Sequence, residues 1–424
     1  MTAPRESLAR IAYAGLLGLV APAYLLRLWW RGRAEPLYRV AIAERFGRYR
    51  DPGAAGAVWI HAVSLGETRA AAALIEALRA RRPGLRLLLT HGTATGREAG
   101  AALLRDGDRQ AWLPYDAAPV VRRFLAHFRP ALGVLMETEV WPNLLGAARE
   151  RSLPIVLANA RLSARSERRG RRLDALLRPA AASLALVLAQ SEVDARRLRA
   201  VGVRDVVVAG NLKFDMTPNA AQLAQGRAWR DALGRAVVLA AVTREGEEVM
   251  LLAAWQARPA PRPLLLIVPR HPQRFDEVAT LVRAAQLTLV RRSAWTGAPA
   301  PDAAAADVWL GDSIGEMARY YGLAQVALLG GSFAPLGGQN LIEAAACGCP
   351  IVMGPHTFNF AQAAELSLAA GASLRVADID AGVGAALALI GTPAQPRMAE
   401  AALAFAAQHR GAAARMADRI VALL

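Results

Sequence analysis

Short unbroken runs of Val, Leu, Ile and Ala alternate along the chain with stretches in which apolar residues recur every three or four positions. Runs of the first kind read as strands buried on both faces, and stretches of the second kind as the helices that cover them. The strand-like runs are Val58–Val63, Leu85–His91, Gln110–Leu113, Leu132–Met136, Ile155–Leu157, Leu184–Ala189 and Val206–Ala209. A second series follows at Val237–Ala241, Leu264–Val268, Leu287–Val290, Val308–Leu310, Val326–Leu329, Ile351–Met353 and Ser373–Val376. Two such series predict an α/β chain of two Rossmann-like, doubly wound parallel sheets, joined near Gly210–Ala220. Ala298–Ala306 reads as a Pro/Ala-rich surface loop, and Arg397–Leu423 as one amphipathic helix able to pack on either domain.

The N-terminus breaks this pattern. Ile11–Leu26 carries no charge and, at about 1.5 Å per residue, reaches roughly 24 Å, short of the ~30 Å hydrocarbon core. Trp29 and Trp30 add interfacial aromatics, so the segment predicts a marginal span or a deep anchor. Ala21-Pro-Ala23 is compatible with a cleaved secretory signal. Against cleavage, Arg27, Arg31, Arg33, Arg39, Arg45, Arg48 and Arg50 follow at once, a block that favours a cytoplasmic downstream domain held near anionic lipid.

A length of 424 residues suits two domains. The formal net charge of +16 calls for anionic partners, although arginine simply decorating exposed helix faces would also produce it. RNA binding is disfavoured, because the basic residues are spread rather than striped and lack interleaved aromatics. Cys347 and Cys349 alone build neither a disulfide framework nor a zinc site. Lys213 is the only lysine, and a residue type that survives such drift toward arginine marks a position needing its chemistry.

In a doubly wound sheet, chemistry belongs on the loops after strands. After the first strand, Ser64, Gly66 and Glu67 suit a tight turn into a helix, leaving Glu67 either as a base near the sheet edge or as a first-turn capping carboxylate. Glu137-Thr-Glu-Val-Trp-Pro-Asn143 crowds two carboxylates at another strand end, and Asn159-Ala-Arg-Leu-Ser163 follows the next. Lys213, in Gly210-Asn-Leu-Lys-Phe-Asp215, could face a departing phosphate or remain solvated. The second series offers Thr243–Glu248, Pro269-Arg-His-Pro272, Gly311–Met317 and the glycine-rich Gly330–Glu343. There a helix starting near Gln339 would present amides to a phosphate, and Glu343 a carboxylate to ribose.

The last of these blocks resembles the nucleotide-sugar half of GT-B glycosyltransferases. Taken with Val63–Glu67, Met136–Asn143, Asn159–Ser163, Gly210–Asp215, Pro269–Pro272, Gly311–Glu316 and Gly354–Phe360, the set is similar to the 3-deoxy-D-manno-octulosonic acid (Kdo) transferases. A departure occurs at Val242–Glu248, where many relatives carry His at the position of Arg244. The resemblance implies a GT-B fold, with two Rossmann-like domains facing a cleft behind an N-terminal membrane-anchor helix. The domains would be an anchor and basic neck over 1–33, an acceptor-binding domain over 34–212 and a CMP-sugar-binding domain over 213–424. It further implies an inverting enzyme that moves Kdo from CMP-Kdo to a phosphorylated lipid A precursor, with no metal and no cofactor beyond the donor. Its partners would be CMP-Kdo, that precursor and anionic lipids of the inner membrane, with the catalytic domains on the cytoplasmic side and no nucleic acid. Glu67 would be the general base, and Glu137 and Lys213 would stabilise the transition state. Pro269, Arg270, Gly315, Glu316, Met317, Asn340, Leu341, Ile342 and Glu343 would bind CMP. The rival readings are a GT-B transferase using a UDP-sugar on another membrane acceptor, and a nucleotide-sugar epimerase of the same fold.

Overall fold

The structure, a computed structural model, describes residues 4–50, 52–299 and 301–424. It divides into two compact units, Met1–Asp215 with Arg410–Leu424, and Met216–His409.

The first unit is built on seven strands: β1 (Val58–His61), β2 (Leu87–His91), β3 (Arg109–Trp112), β4 (Leu132–Met136), β5 (Ile155–Ala160), β6 (Leu186–Ala189) and β7 (Val206–Val208). Their order is β3-β2-β1-β4-β5-β6-β7, and every pairing is parallel. The second unit repeats the scheme with β8 (Val237–Thr243), β9 (Leu264–Pro269), β10 (Leu289–Arg291), β11 (Val308–Leu310), β12 (Val326–Leu329), β13 (Ile351–Met353) and β14 (Ser373–Arg375). Its order is β10-β11-β9-β8-β12-β13-β14, again parallel throughout. Each strand falls on one of the apolar runs, because a strand covered on both faces must be apolar at every position rather than at alternate ones. Strand order reverses between β1 and β4 in one sheet and between β8 and β12 in the other, which opens a crevice at the strands' carboxyl ends.

Three segments differ from the sequence expectation. The last helix is two, Ala394–Gln408 and Ala412–Val421, because Gly411 takes φ +87° and breaks the run. Pro301–Ala305 forms a helical turn within the expected loop, whose residue 300 lies outside the described residues. The division between units lies after Asp215 rather than Leu212. Leu212 and Phe214, on the turn Leu212–Asp215, are buried, and Asp215 accepts hydrogen bonds from the Gly411 and Ala413 amides. The helix Ala412–Val421 packs into the first unit's core beside Leu74 and Leu78, and Arg81 pairs with Asp418.

The N-terminal helix spans Pro4–Arg31 and includes one segment long and apolar enough to cross a membrane, Leu8–Arg31, with mean hydropathy 1.6. One stripe of it is bonded to the first unit. Tyr13 donates to Asp116 (3.0 Å), the Leu17 carbonyl accepts from Tyr115 (2.7 Å), and the Tyr24 hydroxyl accepts from Arg45 (2.9 Å). Much of its remaining surface is apolar and exposed, including Ile11, Leu19, Leu26 and Trp30, with the exposed Arg27 near its C-terminal end. Cys347 and Cys349 are buried and unbridged, and burial pushes the Cys347 thiol up to about 12.

In the second unit the helices Ala220–Leu233 and Met317–Leu323 touch through glycine. A Cβ on Gly226 would overlap the Arg319 carbonyl oxygen, a backbone atom that cannot swing aside. Gly226→Ala is therefore expected to lower the melting temperature of the second unit's transition in scanning calorimetry. Overpacking costs about 1–3 kcal/mol, more than the ~1 kcal/mol that alanine adds to helix propensity.

Candidate functional site

In the first unit the expected residues collect at the crevice between β1 and β4. Ser64 caps the helix Leu65–Arg81, and the carboxylate of Glu67 in its first turn bonds back to the residues that enter the helix. Glu67 Oε2 accepts from the Val63 amide (2.8 Å), and Oε1 accepts from Ser64 Oγ (3.1 Å). The capping reading is thus realised, yet it does not exhaust the group, since a carboxylate has about four lone-pair sites. Burial pushes the Glu67 carboxyl up and the charge of Glu137 adds to this, against the Val63 and Ser64 hydrogen bonds and Arg161.

Glu137 follows β4 with φ +58°, a left-handed conformation costly for a side chain of its kind, and is mostly buried. Its Oε2 accepts from Arg161 Nε (2.8 Å). Asn159, at φ +53° where the β5–β6 register slips, is fully buried, and its Oδ1 accepts from the Leu212 amide (3.0 Å). That bond ties the end of β5 to the turn carrying Lys213. Burial pushes the Lys213 ammonium down, opposed by Glu137 and assisted by Arg161. Glu67, Glu137, Arg161 and Lys213 are therefore close enough to perturb one another, two acids and two bases at one strand edge.

Asp116, which sequence reasoning passed over, and Glu139, the second carboxylate of Glu137–Asn143, complete this edge. Asp116 is buried, and besides Tyr13 it accepts from the Asn143 (3.2 Å) and Leu144 (2.8 Å) amides. It thereby caps the helix Pro142–Glu150, whose own N-cap residue, Trp141, supplies no side-chain bond. Glu139 lies on the loop between. Burial, then the charge of Glu67, pushes its carboxyl up to about 7. Position in sequence marked Glu139 as polar; only its packing reveals that it titrates near neutrality.

In the second unit the expected CMP-binding residues stand at the carboxyl ends of β9, β11 and β12. Pro269 ends β9, and the exposed Arg270 follows, its amide donating to the Thr243 carbonyl (2.9 Å). Gly315 turns at φ +80° and its carbonyl accepts from Gln222 (3.0 Å). The Glu316 carboxylate is already engaged, accepting from Ser313 Oγ (2.6 Å) and pairing with Arg292 (3.1 Å) and Arg319. Burial alone would raise its pKa; Ser313 and the two arginines outweigh that and hold it low. Met317 begins the next helix. The helix expected near Gln339 begins at Leu341, with Asn340 as its cap accepting from the Ile342 amide (3.2 Å). Leu341 and Ile342 bury their side chains in the core, which leaves only their backbones to a ligand. Glu343 lies in the first turn, partly exposed.

The glycine-rich loop after β12 holds a carboxylate of its own. Glu247, nearly fully buried, accepts from the amides of Gly331 (2.7 Å), Phe333 (3.2 Å), Ala334 (3.3 Å) and Arg244 (2.9 Å). Those amides are therefore already occupied, while the amides expected to face a phosphate belong to the helix Leu341–Ala346 further along. The neighbouring Glu248 is fully buried and paired bidentately with Arg274 (2.8 and 3.0 Å), while Thr243 donates to it (2.7 Å). Thr243–Glu248 thus braces the loops after β9 and β12, and Arg244 itself pairs with Glu245 (3.0 Å). Among the described residues no group of three or more His, Cys, Asp or Glu side chains is placed to hold a metal ion.

Two successive doubly wound parallel sheets, each with its polar residues at the carboxyl edge, define a GT-B glycosyltransferase fold. A glycosyltransferase from Rickettsia africae has a similar structure (TM-score 0.57, 10% identity, 87% of this chain and 98% of that one). A family model described as 3-Deoxy-D-manno-octulosonic-acid transferase (kdotransferase) matches residues 41–216. A 3-deoxy-D-manno-octulosonic acid transferase of Bordetella pertussis is 49% identical over 97% of this chain and 99% of its own. One from Haemophilus influenzae is 34% identical over 96% and 97%. The chain belongs to the Kdo transferase family and is a glycosyltransferase.

The Glu139 shift has a sign that can be checked. The fold holds this proton more tightly than the unfolded chain does, so its contribution to stability is complete below pH 4.5 and is lost as pH rises through about 7. Glu139→Gln removes that loss. Its urea midpoint is expected to gain on the wild type between pH 5 and pH 8, and an equal difference at both pH values would contradict the assignment.

Proposed function

We propose that this chain transfers Kdo from CMP-Kdo to a sugar hydroxyl of a phosphorylated lipid A precursor, with inversion and without a metal. The observation that carries this reading is the convergence of Glu67, Glu137, Arg161 and Lys213 at the crevice of the first sheet. Glu67 accepts the proton of the acceptor hydroxyl. The freed oxygen attacks the anomeric carbon of Kdo, and the bond to the phosphate oxygen breaks, releasing CMP. A single displacement of this kind inverts the anomeric centre. Burial makes Glu67 a stronger base than a solvated glutamate, and the Val63 and Ser64 bonds fix its orientation. The Lys213 ammonium, steadied by Glu137, stabilises negative charge as it develops. On the donor side, Arg270 and the backbones of Gly315–Met317 and Asn340–Ile342 hold CMP, with Glu343 on the ribose. Fixed cations and amides stand in for the metal that a diphosphate leaving group would ask for.

The N-terminal helix attaches the enzyme to the cytoplasmic face of the inner membrane. Its bonds to Asp116, Tyr115 and Arg45 support a helix lying in the interface, because crossing the bilayer with them intact would carry those polar groups into hydrocarbon. Arg27, Arg33 and Arg39 are exposed beside it, where they meet anionic headgroups.

Incubating the protein with CMP-Kdo and a tetra-acylated precursor, with products read by mass, tests donor, acceptor and the number of additions together; UDP-sugars serve as the control. Glu67→Gln is expected to keep CMP affinity within about twofold while cutting transfer by 10² or more, the scale of a lost general base. Transfer near the wild-type rate would remove Glu67 from the role. Lys213→Ala is expected to lower kcat more than it raises KM for the donor, whereas an effect on KM alone would make it a binding residue.

A further inference from the structure

Two adjoining apolar grooves open on the first unit, and the transfer reaction as proposed above leaves their apolar walls without a role, touching them only at Arg161. The larger, about 560 Å³, has one wall from the N-terminal helix (Ala9, Ala12, Leu16) and another from Leu173 and Leu177, and it reaches Glu139. The smaller, about 390 Å³, continues past Leu157, Leu184 and Leu198. Thr138, Val140, Leu173 and Leu177 line both, so one apolar ridge separates two channels. Both volumes fall within the roughly 300–1,000 Å³ of small-molecule sites.

What rims the grooves is as informative as what lines them. The helix Ala164–Arg171 buries none of its side chains and carries Arg165, Arg168, Arg169 and Arg171. Such a helix gains nothing from core packing. It is held by the Ser163 cap on the Ser166 amide (3.1 Å) and by Glu167, which pairs with Arg171 (2.8 Å). Arg161 and Arg169 line the smaller groove and Arg172 the larger. A guanidinium cluster of this density suits phosphate oxygens.

We propose that the two grooves seat acyl chains of the phosphorylated glycolipid acceptor, with the arginines of 161–172 on its phosphate, so that the sugar enters past Glu139 toward Glu67. This rests on the lipid acceptor of the proposed function and adds where its chains lie. A lipid chain fits better than a soluble ligand because one wall of the larger groove is the helix whose other faces, at Leu19 and Leu26, are apolar and exposed. A chain can pass from a bilayer along that helix into the groove without crossing water. Moving between two apolar surroundings gains little by itself, so the arginines supply the discrimination.

The test reads binding, not transfer. A phosphorylated, acylated disaccharide with a photoactivatable group at a chain terminus is cross-linked to the full-length protein in detergent micelles, and the labelled peptides are mapped by mass. Label is expected on Thr138–Val140 and on residues 173–184. Leu177→Trp, which fills the shared ridge, and Leu173→Arg, at an exposed position where folding is not at stake, should each cut it at least tenfold with CMP binding unchanged. The proposal is overturned by label confined to the outer face of the N-terminal helix, by no label, by equal labelling of both variants, or by a deacylated headgroup that competes as well as the whole lipid. Groove labelling with no sugar transferred would sink the proposed reaction and leave the grooves standing; transfer with label elsewhere would do the reverse.

Discussion

The carboxylate of Glu247 lies buried beneath a loop eighty-four residues downstream and is bonded to the amides of Gly331, Phe333 and Ala334, so it fixes the start of the glycine-rich segment after β12. The same device recurs. Asp116 takes the amides that open the helix Pro142–Glu150, Asp215 those that open the last helix, and Asp108 those of Leu87 (2.7 Å) and Arg105 (2.8 Å). Parallel strands leave their loops without a regular ladder, so each loop's donors need acceptors from elsewhere. At these four places the acceptors are acidic side chains, which must then be well satisfied because an orphaned buried charge is costly.

This constraint explains how irregular backbone survives at the crevice. Glu137, Asn159 and Val242 all hold positive φ at strand ends, and Val242 is β-branched, for which that conformation is a true outlier. The β5–β6 and β8–β9 registers slip at Asn159 and Val242. Bulges there re-aim the side chains that follow, Arg161 toward Glu137 and Thr243 toward Glu248. The surroundings over-determine these positions: Asn159 is locked by Leu212, and Val242 is followed by a threonine bonded to a buried ion pair.

The apolar runs revealed the strands because burial on both faces leaves no alternative composition, and that holds even for three-residue strands such as Val308–Leu310. Glu67, Glu137 and Lys213 could be located because each follows a strand, and topology alone sends such positions to one edge. What remained hidden were partnerships over long separations. Nothing local distinguishes Asp116 from a surface aspartate, or shows that the amides of Gly331 and Phe333 are already occupied. Nor does anything local show that the Glu316 carboxylate is paired with Arg292 and Arg319, which leaves its backbone for the ligand role expected of it. The break at Gly411 was missed because the amphipathic pattern runs on across it, while the chain turns there to return to the first unit.

Lys213 sits half-buried on the turn Leu212–Asp215, among arginines whose guanidinium groups do not react with acylating reagents. As the sole lysine among 424 residues, it gives the protein a single side-chain amine. Its desolvated nitrogen, less firmly protonated than a solvated lysine's, is also more nucleophilic at neutral pH. Reductive methylation with isotopic carbon would therefore install one side-chain reporter inside the crevice, a resonance whose titration follows the local potential without any engineered mutation.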